Sequence, residues 1–135
     1  MELMEKIVVG MKAEQEFLVE EQYTAGHVGS GSLRVLATPS LIGFMEHVAS
    51  DLMQRNLPDG YSSVGAWVDV RHLAPTPLGH GVTCTARVIQ TDGKLITFQV
   101  EAADEQELIA RGLHKRAIIE VERFAKRVAQ KQGKS

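Results

Sequence analysis

Three side chains in this sequence stand where a hydroxyl, a carboxylate and an imidazole could act together: Thr38, Glu46 and His72. Glu46 borders the apolar face of a predicted helix, and a half-buried carboxylate can act as a general base or a nucleophile. His72 closes a predicted strand on the face of Val68 and Val70, where it could act as a general acid or base. Thr38 opens the helix, where its hydroxyl and the positive helix end could polarise a carbonyl oxygen.

Each of these residues also has a purely structural interpretation. Glu46 could be a solvated surface carboxylate, His72 a core histidine with a satisfied hydrogen bond, and Thr38 an ordinary N-cap. Cys84 lies mid-strand among apolar residues, which favours a small core residue over a thiol nucleophile. The five histidines show no metal-ligand spacing, so we predict no metal site.

The helix that must position Thr38 and Glu46 is predicted from Thr38 to about Asn56. Pro39 suits its first position, because proline has no N–H to leave unpaired. Apolar residues recur at helical spacing along one wide stripe: Leu41, Ile42, Phe44, Met45, Val48, Ala49, Leu52 and Met53. Thr38 and Glu46 lie ~12 Å apart along a straight helix, beyond hydrogen-bond reach. Either the site spans a two-fold axis, or the two residues act at different ends of it.

The rest of the chain is predicted to be mostly strand, over residues 14–23, 63–73, 82–91, 95–103 and 108–122. Asp92-Gly93 marks a tight hairpin, and a phase change near Gly112 indicates a bulge. Strict alternation places Gly65 on the opposite face from His72. Residues 24–34 are glycine-rich and predict a flexible loop that covers the helix start. A succession of hairpins against one apolar helix predicts an α+β fold with an antiparallel sheet.

The composition predicts one soluble domain over residues 1–135, with a loose N-terminal arm at 1–12 and a basic tail at 123–135. The net charge of -2 argues against general binding to nucleic acid or a membrane. We interpret the tail as a short helix with solvated cations, although contact with the phosphates of a soluble cofactor is an open alternative. One cysteine and no long apolar segment predict a cytoplasmic protein.

Four segments, followed by Glu122-Arg123-Phe124, together resemble a known family. They are Ala37-Thr38 through Gly43-Phe44-Met45-Glu46, Gly65 through Val70-Arg71-His72, Ala74-Pro75-Thr76-Pro77-Leu78-Gly79, and Gly112-Leu113-His114-Lys115-Arg116-Ala117-Ile118. In this order, and with seven residues from Gly65 to His72, the sequence resembles the hotdog-fold acyl-CoA thioesterases, specifically the fluoroacetyl-CoA thioesterase family.

The resemblance implies about five antiparallel strands wrapped around one central helix, and hydrolysis of an acyl-CoA thioester. It implies catalytic roles for Thr38, Glu46 and His72, and substrate contacts for Gly65 and Arg116, although Arg116 could equally be structural. It also implies a homodimer, possibly pairing further, with no metal and no cofactor beyond the coenzyme A of the substrate.

One segment departs from this family. The family's phenylalanine-bearing lid corresponds here to residues 29–34, which contain no aromatic residue. We therefore expect a general, short-chain acyl preference rather than selectivity for a fluorinated acyl group. Two alternatives stay open: a non-catalytic acyl-CoA or metabolite-binding protein, and, less favoured, a hotdog hydratase or dehydratase.

Overall fold

The computed structural model describes residues 6–133, in which one antiparallel sheet packs against one long helix. The elements are β1 (Lys12–Leu18), a 3₁₀ turn (Glu21–Tyr23), α1 (Ala25–Val28), α2 (Thr38–Asn56), β2 (Tyr61–His72), β3 (Gly81–Asp92), β4 (Leu95–Ala103), β5 (Leu108–Glu120) and α3 (Val121–Lys131). The strand order across the sheet is β1-β3-β4-β5-β2. The outer ends of the predicted arm and tail, residues 1–5 and 134–135, lie outside the described residues.

Helix α2 is held on the sheet by the apolar stripe predicted from its sequence. Its buried side chains are Leu41, Phe44, Met45, Val48, Ala49, Leu52 and Met53, whereas Ile42 is half-buried. They share one core with side chains of the sheet, including Val82, Phe98 and Val100. Burying each large apolar side chain stabilises the fold by about 1.5–3 kcal/mol. This packing fixes where the polar residues along the rim of α2 point.

The start of α2 differs from the prediction. The N-cap is Ala37, which offers no capping side chain, and Thr38 is already helical with Pro39 following it. Thr38 was predicted to cap the helix, and this prediction is wrong because its hydroxyl bonds to a side chain of β2 instead. An N-cap threonine would direct that oxygen back at the helix's own N–H groups.

Strand β2 lies at the edge of the sheet and does not form a hairpin with β3, contrary to the predicted succession of hairpins. It pairs with β5, and β3 and β2 are separated by β4 and β5. The connection after β2 contains Pro75 and Pro77, which cannot donate ladder hydrogen bonds. The hairpin predicted at Asp92-Gly93 is confirmed, with Gly93 at a φ of 61°. The fold thus leaves a 12-residue edge strand.

A bulge in β2 changes which side chains face α2. Gly65 pairs with Arg116 and Trp67 pairs with Lys115, so Ala66 is the extra residue. Because of this residue, Gly65 and His72 lie on the same face of the sheet, and the prediction of opposite faces is wrong. The residues paired with them, Arg116 and Ala110, are both buried.

The predicted bulge in β5 occurs three residues before Gly112. Against β4, Ala102 pairs with Ala110 and Ala103 pairs with Leu108, which leaves Ile109 as the extra residue. From Ala110 onward the even-numbered residues face the core, which places His114 and Arg116 on the inner face together. The extra residue, Ile109, therefore explains the change of phase in the apolar pattern of the sequence.

The remaining segments differ from the prediction in their packing and in the bounds of their elements. Ile7, from the predicted loose arm, is buried in the core, and Gly10 donates a hydrogen bond to the Val88 carbonyl. The first strand ends at Leu18, and the predicted loop at 24–34 begins with α1, which Thr24 caps. Between residues 6 and 133, no helix is both long enough and apolar enough to cross a membrane.

Candidate active site

Thr38 and His72 are in direct contact. The N-terminal end of α2 lies against the last residue of β2, and a hydrogen bond of 2.7 Å joins Thr38 Oγ1 to His72 Nδ1. His72 Nε2 is buried and has no hydrogen-bond partner among the described residues. Thr38 therefore fixes the orientation of the ring, and Nε2 is the ring nitrogen that remains unpaired.

The surroundings of His72 favour its neutral form. Burial of the ring lowers its pKa, and a weaker interaction with the Ala74 backbone partly offsets this effect. A neutral imidazole can accept a proton near pH 7 and can pass it on once protonated, as acid–base catalysis requires. A shallow pocket of about 280 Å³ opens beside the ring, and Thr38, Leu36 and Pro75 are among its walls.

Glu46 lies at a second cluster, midway along α2. Its Oε2 atom lies 3.8 Å from Nη1 of Arg116, whose side chain is only 8% exposed. A Cβ atom on Gly65 would lie 2.6 Å from the same Oε2 atom, so only glycine leaves this space open. Gly65 is thus the residue that lets the carboxylate approach β2, and Arg116 is the cation that faces it.

Two residues that the sequence did not single out hold Arg116 in place. Arg116 donates two hydrogen bonds to Ser63: Nε donates to the hydroxyl oxygen at 2.9 Å, and Nη2 donates to the backbone carbonyl at 3.2 Å. His114, which is 1% exposed, lies 3.2 Å from Arg116 through Nε2 and 3.0 Å from the Trp67 carbonyl through Nδ1. The guanidinium is therefore fixed from three directions.

The contacts of His114 define its protonation state. The Trp67 carbonyl can only accept, so His114 Nδ1 carries the proton, and Nε2 accepts from the Arg116 guanidinium. Burial lowers the pKa of His114, and the Arg116 charge lowers it further, against opposing contributions from the Trp67 backbone and Glu46. Alternation along β5 from Arg116 is the sequence signal that could have placed His114 on the inner face.

The two clusters lie too far apart in one chain to act on a single reacting centre. Thr38 and Glu46 are separated by ~12 Å along α2. Gly65 and His72 are separated by about 20 Å along β2, allowing for the bulged residue. The structure brings Thr38 together with His72, and Glu46 together with Gly65 and Arg116, but it does not join these two half-sites within the chain.

Other reactive side chains do not add to these half-sites. Cys84 is buried, and this burial raises the pKa of its thiol to about 12, as expected of a core residue. Across residues 6–133, no three histidine, cysteine, aspartate or glutamate side chains are grouped so that they could hold a metal ion. The available groups are a carboxylate, an imidazole, a hydroxyl and a guanidinium.

The family model of the fluoroacetyl-CoA-specific thioesterase FlK matches residues 19–122. The chain belongs to this family. It is 33% identical to the fluoroacetyl-CoA thioesterase of Streptantibioticus cattleyicolor, over 91% of this chain and 93% of that protein. A single-residue variant of FlK, solved in complex with fluoroacetate and CoA, matches with a TM-score of 0.83 and 31% identity, over 87% of this chain and 99% of that one.

A hot-dog-like protein from Thermanaerovibrio acidaminovorans has the same fold, with a TM-score of 0.90 and 27% identity over 97% of both chains. The predicted hotdog fold is thus confirmed, with five antiparallel strands and one long helix. The predicted resemblance to the fluoroacetyl-CoA thioesterase family is confirmed as well, and with it the assignment to the thioesterases. Because the match covers residues 19–122, it includes both half-sites.

Proposed function

We propose that this member of the fluoroacetyl-CoA thioesterase family hydrolyses short-chain acyl-CoA thioesters as a homodimer. Each active site would combine Glu46, Gly65 and Arg116 of one protomer with Thr38 and His72 of the partner subunit. The observation that carries this proposal is the division of the chemistry into two half-sites along one exposed edge strand.

The geometry of β2 supports a dimer in which the edge strands of two protomers pair antiparallel. A long edge strand presents unpaired backbone groups with which a strand of a second chain can pair. In a two-fold arrangement whose axis passes midway between Gly65 and His72, Gly65 of one protomer faces His72 of the partner subunit. The same rotation brings the end of α2 that carries Thr38 towards the Glu46 of the other chain.

The available groups suit attack on a thioester carbonyl. Glu46 either takes a proton from the attacking water or attacks the carbonyl carbon itself. The Thr38 hydroxyl, the Gly65 backbone N–H and the start of α2 would polarise the carbonyl oxygen. When the carbon–sulfur bond breaks, the CoA thiolate needs a proton, and the neutral His72 would relay to it the proton that the attacking water gives up.

The pocket beside Thr38 and His72 is small. Within one protomer its volume of about 280 Å³ falls just below the range of small-molecule sites, about 300–1,000 Å³. The segment corresponding to the family's lid, residues 29–34, is exposed and contains no aromatic residue. We therefore propose a general short-chain preference over selectivity for fluoroacetyl-CoA, in a cytoplasmic, metal-independent enzyme.

A panel of acyl-CoA esters tests the proposal, with free CoA detected by a colorimetric thiol reagent. We expect turnover of acetyl- and propionyl-CoA, declining as the acyl chain lengthens. The Glu46→Gln variant should lose at least about 10²-fold in kcat, the usual scale for a positioned acid or base. Binding of CoA esters without thiol release would favour the non-catalytic alternative, and full turnover by Glu46→Gln would overturn the role given to Glu46.

A further inference from the structure

The C-terminal helix α3 forms one wall of a groove that the two half-sites do not include. The groove has a volume of about 490 Å³ and is bounded on its other side by the end of β5 and the turn before β4. We call it the α3 groove; its lining includes Lys94, Ile118, Arg123, Phe124, Lys126 and Arg127.

The α3 groove is strongly basic in a protein of net negative charge. Four cations line it, at Lys94, Arg123, Lys126 and Arg127, against one carboxylate at Glu120. None of the four is in an ion pair within the described part of the chain. Arg123 and Arg127 are four residues apart on α3, so both guanidinium groups project from one helix face. Such a pair suits the multiply charged oxygens of phosphate groups.

An exposed aromatic ring lies among these charges. Phe124 is 37% exposed and belongs to the groove lining. A ring in a basic groove offers a stacking surface for a nucleobase. The groove thus combines the two contacts that a phosphorylated nucleoside makes.

The α3 groove adjoins the half-site that contains Glu46. Ile118 lies two residues beyond Arg116 on the same face of β5, about 7 Å along the strand. Ile118 pairs with Ser63, which holds the Arg116 guanidinium. Helix α3 begins about 17 Å beyond Arg116, at Val121. Ile118 itself is only 3% exposed. A ligand with its thioester at Glu46 that extended along this end of β5 would therefore present its far end to α3.

From these observations, and resting on the proposed function, we infer that the α3 groove binds the phosphorylated adenosine end of the acyl-CoA substrate. Arg123 and Arg127 contact its phosphates, Phe124 stacks on the adenine, and the pantetheine arm runs along the end of β5 to the thioester. The position of the groove near Arg116 favours this ligand over an anionic membrane, which needs no neighbouring catalytic group.

The test compares an acyl-CoA ester with the same acyl group on pantetheine, which lacks the nucleotide. In the double variant Arg123→Gln/Arg127→Gln, we expect KM for acetyl-CoA to rise about tenfold. This rise corresponds to a modest fraction of the binding free energy that two charge-assisted hydrogen bonds contribute. We expect kcat, and all parameters for acetyl-pantetheine, to stay unchanged. Lys131→Gln is the matched control, since it removes a cation of α3 that does not line the groove. Equal effects on both esters, or none on either, would overturn the inference.

A binding measurement separates this inference from the proposed function. Adenosine 3′,5′-diphosphate should bind the wild-type protein by calorimetry and bind the double variant about tenfold more weakly. Hydrolysis of neither ester, together with this binding difference, would contradict the proposed function and leave the groove assigned. If vesicles containing phosphatidylserine bind the wild type but not the double variant, while nucleotide affinity is the same in both, the groove is a membrane contact and the inference is wrong.

Discussion

Substituting Gly65 by alanine should separate catalysis from stability. The added Cβ would lie 2.6 Å from Glu46 Oε2, whereas ordinary contact begins at 3.4 Å, so the carboxylate must retreat by about 0.8 Å. The next atoms, His114 Cε1 at 3.5 Å and Arg116 Nη1 at 3.6 Å, are already at ordinary contact distance and need not move. A misplacement of about 1 Å in a reacting group costs about 10²-fold in rate. We therefore expect kcat to fall about 100-fold in Gly65→Ala.

The fold should tolerate this change. The clash is with the far end of a flexible side chain, and replacing glycine within a strand removes backbone entropy from the unfolded chain. We expect a melting temperature equal to or slightly above that of the wild type, and little change in KM, because Arg116 stays in place.

Steady-state kinetics on acetyl-CoA and thermal denaturation measure the two effects. Gly43→Ala is the matched control: it adds the same methyl group to α2, where the new Cβ meets nothing within 4 Å. It should keep full activity and gain up to about 1 kcal/mol of stability. Activity of Gly65→Ala within about threefold of the wild type would refute the argument, because a misplaced reacting group should cost about 10²-fold.

Three further predictions follow from the same geometry. Burial lowers the pKa of both His72 and His114, so below about pH 6.5 the unfolded chain binds more protons than the folded chain. The melting temperature should therefore fall as the pH drops, and it should fall less in His114→Gln. Cys84, with its pKa raised to about 12, should react with a thiol reagent only after denaturation, and rapid labelling of the native protein would contradict its placement in the core. Mixing inactive Thr38→Ala and Glu46→Gln subunits should restore activity in the heterodimers, because one of their two sites is intact; no recovery would place each site within one chain.

The sequence predicted the architecture well because hydrophobic periodicity and turn chemistry are local. The apolar stripe of α2 and the Asp92-Gly93 hairpin depend only on spacing and on a glycine able to adopt a positive φ. The position of β2 is not local: it depends on the connection that contains Pro75 and Pro77, and no spacing within the strand reveals which edge it joins. Its pairing with β5 therefore had to come from the structure.

The candidate residues could be predicted individually more readily than their contacts. Glu46 follows from its place on the rim of α2, and His72 from its place in an alternating strand. Arg116 could be named only through the family resemblance, and His114 was passed over because a buried histidine has no sequence signature apart from its register. Its role becomes visible only when Nδ1 and Nε2 are seen to bridge the Trp67 carbonyl and Arg116.

The bulge at Ala66 connects these observations. Side chains alternate along a strand, so two residues seven positions apart normally face opposite sides of the sheet. One extra residue between Gly65 and His72 reduces the effective separation to an even number, and both residues then face the α2 side. In one chain this places them about 20 Å apart, which is too far for both residues to contact one thioester group. In the proposed antiparallel pair of edge strands, each Gly65 would lie opposite the His72 of the partner subunit. Within one chain, the bulge turns Gly65 towards Glu46. In the proposed dimer, it would also let one face of the strand present both Gly65 and His72 to a site completed by two chains.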